Sequence, residues 1–152
     1  MADRKAVAHL LRRATFGPRA EEVDAAEKAG YDATLAALFA LSGTDAGAAK
    51  TPVPRLGADP ATALGKRATR EQRQQVNQER NKQVRSVVQW WLDRMASADH
   101  QLHEKLTFFW HGHWATSVQK VKSAQLMLAY QQTLFNTALG DRGVREEGEA
   151  RV

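Results

Sequence analysis

The feature that most constrains this chain is a long run with the period of a helix. Between Lys66 and about Ala98, the second half of the run carries Val84, Val87, Val88, Trp91 and Met95, at i, i+3, i+4, i+7 and i+11. That spacing makes one stripe of an α-helix, and a strand, whose side chains alternate with period two, cannot hold it. The first half of the run is polar: Lys66, Arg67, Arg70, Arg73, Arg80, Lys82 and Arg85 stand against Glu71 and Glu79. The pattern predicts a helix that starts in solvent and ends packed in a core. Composition agrees. There is no Ile among the 152 residues, and 26 are Ala, so β-branched strand formers are scarce and helix formers abundant. The expected fold class is all-α.

The rest of the chain divides around that helix. Residues 3–14 carry Val7, Leu10, Leu11 and Ala14 at helical spacing, with Asp3 placed as N-cap. Thr15-Phe16-Gly17-Pro18 breaks this helix. Glu21 and Glu22 open a second, where acids suit the positive end of the helix dipole, and Gly30 closes it. A third helix over 32–41 carries Leu35, Leu38, Phe39 and Leu41, with Asp32 as its cap. Residues 42–65 hold three of the four prolines and four of the ten glycines, which predicts a flexible linker. Two aromatic-rich helices follow the long one. The first, over 102–113, puts Leu102, Leu106, Phe109 and His113 on one face, with Trp110 and Trp114 beside them. After a polar turn over 116–122, the second starts near Ser123, turns Met127, Tyr130, Leu134 and Ala138 inward, and ends at Gly140. The expected organisation is an N-terminal helical segment (1–41), a linker (42–65), a helical core segment (66–140) and a disordered tail (141–152).

Cys is absent, which excludes disulfides, thiol catalysis, Cys-based zinc sites and iron–sulfur clusters. A net charge of +5 and a pI near 9.8 allow an anionic partner without requiring one. No apolar run is long enough to span a membrane, and the first residues lack the apolar core of a secretory signal. Read by itself, the chain is therefore expected in the cytoplasm. No phosphate-cradling glycine loop, nucleophile elbow or H-E-x-x-H pair occurs.

Three stretches carry a resemblance: His9-Leu10-Leu11-Arg12-Arg13-Ala14-Thr15-Phe16-Gly17-Pro18, Trp90-Trp91-Leu92-Asp93-Arg94-Met95, and Glu104 through Ser117 with Trp110-His111-Gly112-His113-Trp114 at its centre. In order and spacing they resemble the N-terminal portion of the bacterial domain-of-unknown-function 1800 family, over roughly residues 6–140. Family members usually read Trp-His-Asn-His-Phe where this chain has Gly112 and Trp114. They are usually about three times longer than this chain. The resemblance thus implies an N-terminal fragment whose site is completed by residues further on. It also implies export of some relatives and a sulfatase-like protein encoded nearby as a partner. It implies no reaction.

The paired histidines are the sharpest chemical feature. Imidazole is a common ligand for divalent metals, and His111 and His113 can chelate one ion if Gly112 ends the helix between them. On an unbroken helix the two point about 200° apart. A third ligand is then required from His103 or Glu104, with His100 and Asp99 also in range. The plainer reading is that these histidines sit among Phe108, Phe109, Trp110 and Trp114 and bond only to backbone. Glu104 and Asp93 are the carboxylates near the aromatic cluster, suited to orient a histidine, to compensate a helix dipole or to pair on the surface. Eight of the eleven aromatics lie between Trp90 and Phe135. They are suited to a core, or to ligand or sugar stacking where exposed. The alternative function is nucleic-acid or protein binding by Lys66, Arg70, Arg73 and Arg80, with Asn77, a ladder at steps of three and four. Against nucleic acid, the ladder lacks interleaved aromatics and any reading helix.

Overall fold

The computed structural model describes residues 3–40 and 44–140, and among them there are helices and loops and no strand. Helix α1 spans Arg4–Ala14, with the Asp3 carboxylate accepting from Lys5 N at 2.9 Å as its N-cap. It buries Val7, Leu11 and Ala14. Helix α2 spans Ala20–Ala29, and its opening is held by Glu22, which accepts from Arg19 N at 2.7 Å. Helix α3, Tyr31–Phe39, follows without a loop. Gly30 alone separates α2 from α3 at φ +92°, a conformation that L side chains rarely adopt. Asp32 therefore lies in the first turn of α3 and is not its cap. Val7, Leu11 and Ala26 form the small core of these three helices, with Val23 and Leu38 packed against it. The expected contributor Leu41 and the expected tail 141–152 lie outside the described residues.

The described part, residues 44–65, of the stretch expected to be a flexible linker bonds to the long helix and to the residues just after it. It contains a short helix α4, Ala46–Ala49, and a 3-10 turn at Pro60–Ala63. The long helix α5 spans Arg70–Ser97, 28 residues or about 42 Å. At the start of the stretch, Asp45 accepts from the backbone N–H groups of Ala48 at 2.7 Å, and of Asp99 and His100 at 2.9 Å each. Burial alone would raise the Asp45 pKa; the three N–H bonds outweigh it and hold the carboxyl below its ordinary range. Gly47 N donates in return to Asp99 at 2.8 Å, and a Cβ at residue 47 would lie 1.8 Å from Ser97 O. Further on, Trp90 Nε1 donates to Thr51 O at 2.9 Å, and Arg80 grips Asp59 with two bonds of 2.8 Å. The glycine at 47 thus serves close backbone approach, not chain freedom.

Thr69 and Gln72 form a reciprocal cap at the start of α5, so Lys66 and Arg67 lie in the turn before it. α5 buries Gln83, Val87, Trp90 and Met95, whereas Val88 of the expected stripe is 49% exposed. Helix α6 spans Gln101–His113 and buries Leu102, Glu104 and Thr107; of the face expected to carry Leu102, Leu106, Phe109 and His113, the last two are exposed. The expected polar turn contains a single helical turn, α7 (Val118–Val121), ended by Lys122 in the left-handed region at φ +56°. Ser123 then caps α8, Ala124–Thr137, by accepting from Leu126 N at 3.3 Å. α8 lies across α5 and α6 with Ala124, Gln131 and Leu134 buried.

Candidate functional site

Where α5, α6 and α8 meet, the buried face is polar. Arg94 of α5 donates through Nε to Glu104 Oε1 of α6 at 2.6 Å. The Glu104 side chain is 1% exposed and that of Arg94 18%. Helical spacing sets this up. Arg94 stands four residues beyond Trp90 and one before Met95, on the face that α5 buries, and Glu104 comes in the first turn of α6. Burial raises the Glu104 pKa, Arg94 opposes it, and burial prevails. The guanidinium also lies over the Phe135 ring of α8, 4.3 Å from its centroid, a cation–π contact. His103 stacks on the other side of this arrangement, its ring 3.9 Å from Phe135 and its Nε2 2.6 Å from Phe135 O.

The pair forms the floor of a cavity of about 340 Å³, walled by Trp90, Trp91 and Phe135 and rimmed by Val53, Gln132 and Asn136. A second cavity of about 180 Å³ shares Trp91 and Gln131 with the first and adds His111, Met127 and the valines of α5. Four buried side-chain polar atoms among the described residues lack a hydrogen bond of good geometry, Trp91 Nε1, Glu104 Oε2, His111 Nδ1 and Gln131 Oε1, the last two residues being close enough for a weak side-chain contact with each other. All four belong to residues lining these two cavities. None lines the larger cleft of about 570 Å³ between α1 and residues 96–101. Burial lowers the His111 pKa and the neighbouring Gln131 carboxamide pulls it the other way, but burial prevails. The site thus favours the neutral form of the His111 imidazole.

The structure does not gather the residues expected to hold a metal. α6 runs unbroken through Gly112, so His111 and His113 point to different sides. His111 faces Trp91 at 4.7 Å and Tyr130 at 5.8 Å, ring to ring. His113 packs outward among Phe109, Trp110 and Trp114. His103 is engaged with Phe135, Glu104 with Arg94, and His100 lies 3.6 Å from Asp45. Among the described residues no group of three or more His, Asp or Glu is placed to hold an ion. Asp93 accepts from Gln89 on the exposed side of α5, away from the cavity. The basic ladder is also divided. Lys66 precedes the helix, Arg80 is committed to Asp59, Arg73 donates to Ala68 O, and Arg70 stays exposed.

Of the polar residues that line the cavity, the sequence marks Glu104 as a candidate, as a carboxylate beside the aromatic cluster, and does not mark Arg94, Gln131 and Asn136. The available signal was an Arg three residues after Trp91, and a Gln four residues before Phe135, each interrupting an otherwise apolar face.

Fold and site together define a small all-α domain with a polar, aromatic-walled cavity under three crossing helices. Comparison places it more narrowly. The family model described as "Protein of unknown function (DUF1800)" matches residues 9–142, and the chain belongs to that family. No curated protein and no solved structure matches it. Among the described residues no helix is long and apolar enough to cross a membrane.

Proposed function

We propose that this chain binds a small polar molecule in the paired cavities, with Arg94 and Glu104 at the floor of the larger and His111 in the smaller. One observation carries the reading. The partnerless buried polar atoms of the described residues converge on this site. Leaving such an atom without a partner costs about 1–3 kcal/mol. Each such atom in a folded chain calls for an explanation, and these four share one place. The same helices could bury apolar side chains at those positions; Gln131 and Glu104 are instead among the least exposed of the described residues.

The experiment is a thermal-shift screen of small anions, cations and neutral polar molecules on the chain, repeated on Gln131→Leu. A ligand at a hundredfold excess over its Kd adds about 2.7 kcal/mol to the folded state. At about 2–4 °C per kcal/mol for a chain of this size, that raises Tm by 5–10 °C. The expected result is at least one compound that shifts the wild type and loses most of its effect in the variant. A panel that moves neither Tm nor tryptophan emission at concentrations up to about 100 mM, a hundredfold over a Kd on the order of 1 mM, overturns the proposal.

A further inference from the structure

We infer that the molecule this cavity takes is a neutral, hydroxyl-rich ring of monosaccharide or cyclitol size; the inference rests on the binding reading above. Charge comes first. The cation and the anion at the floor are already paired at 2.6 Å, so the cavity presents no unbalanced charge to recruit an ion. An anionic ligand, which only accepts, could take the Trp91 N–H but would leave Glu104 Oε2 unmet and set its oxygens against it and Gln131 Oε1. A cationic ligand would meet the Arg94 guanidinium and the indole N–H of Trp91, both donors.

Hydrogen-bond direction narrows the choice further. Trp91 Nε1 can only donate and Gln131 Oε1 can only accept, and both line the same cavity. A hydroxyl meets both kinds of group from one atom, because its oxygen accepts while its O–H donates. A ring of adjacent hydroxyls therefore satisfies the donor and the acceptors with repeats of one group. The exposed carboxamides of Gln132 and Asn136 at the rim each offer both roles again.

Shape agrees with polarity. Trp90 and Trp91 supply flat apolar walls for the C–H faces of a saturated ring, whereas Phe135, covered by Arg94 and His103, lines the cavity with its edge. A volume of about 340 Å³ lies at the low end for small-molecule sites, which admits one ring and not a chain of them.

The test titrates the whole chain with D-glucose, D-galactose and myo-inositol as neutral arms. Sodium acetate and sodium phosphate are the anionic arms and putrescine the cationic arm, all at constant ionic strength. Binding is followed by the indole N–H resonances of ¹⁵N-labelled protein. The expected result is saturable movement of the Trp91 N–H resonance by at least one neutral arm, with Kd on the order of 1 mM. Trp91→Phe and Gln131→Leu each remove one hydrogen bond and weaken that arm about fivefold. If either variant fails to fold, the wild-type Trp91 resonance still decides. Saturation by acetate, phosphate or putrescine alone overturns the ligand class and leaves the binding site standing. Silence of all six probes at 100 mM overturns the class; silence of the wider screen as well removes the site. Neutral binding that leaves the Trp91 resonance still, or that both folded variants retain in full, places the ligand elsewhere and overturns the inference.

Discussion

Replacing Gly47 by Ala tests whether residues 44–51 are a docked part of the fold. The added Cβ would lie 1.8 Å from Ser97 O, 2.8 Å from Ser97 C and 3.0 Å from Asp99 N. All three are backbone atoms at the end of α5, so no side chain can swing aside. Relief requires α4 and α5 to part by about 1.5 Å, given that non-bonded heavy atoms rest near 3.5 Å. That displacement takes the Asp45 bonds to Asp99 N and His100 N, and the Gly47 bond to Asp99, from 2.8–2.9 Å to beyond hydrogen-bond range. Three bonds to carboxylates at roughly 1.5 kcal/mol each make about 4–5 kcal/mol. At about 2–4 °C per kcal/mol, Gly47→Ala lowers Tm by 8–20 °C. Thermal unfolding followed by circular dichroism at pH 7 reads it directly. The control is Gly112→Ala, in the last turn of α6 with no atom within 4 Å of the added methyl. It raises stability by about 0.5 kcal/mol through helix propensity alone. A Gly47→Ala chain melting within 2 °C of wild type would refute the docked arrangement.

Other consequences concern the polar floor. Arg94→Met strands the Glu104 carboxylate in a buried site and costs about 3 kcal/mol at pH 7. Because burial already favours protonated Glu104, that cost shrinks as pH falls toward 5, and urea titrations at the two pH values measure the difference. His111 works in the opposite direction. Its folded pKa lies below the ordinary 6.5, so the unfolded chain binds the extra proton and stability is lost as pH falls from 6.5 through the folded value. His111→Gln flattens that part of the stability–pH curve; parallel curves for variant and wild type would refute burial of the ring.

Much of the architecture could be read from periodicity and caps. Asp3 caps α1 and Gly30 ends α2 as expected, and the last helix starts at Ser123, where it was expected to begin. The long helix kept its length because its propensity and its amphipathic second half agree. Two things were not legible. Residues 44–65 looked free because glycine and proline mark loops, whereas the bonds of Asp45, Thr51 and Asp59 to α5 and the elbow after it are long-range and leave no local pattern. The cavity escaped for a related reason. A hydrophobic stripe treats every polar residue as a solvent position, yet Gln83, Arg94, Glu104 and Gln131 turn inward and the valine at 88 turns out. Gln83 shows how: its amide reaches Ala58 O at 3.3 Å and accepts from Gln125 at 3.0 Å, partners that adjoin only once the helices have assembled.

The carboxylate at position 45 steers more than its own turn. By holding the amides of residues 99 and 100 it sets the bend from which α6 departs, and α6 delivers Glu104 to Arg94 within its first turn. The shape of the ligand chamber is thus inherited from a latch far upstream in sequence that never touches the chamber. A piece of this protein beginning after residue 50 would keep nearly every lining side chain and lose the tether that aims them, so recognition would fade while the chemistry of the lining stayed intact.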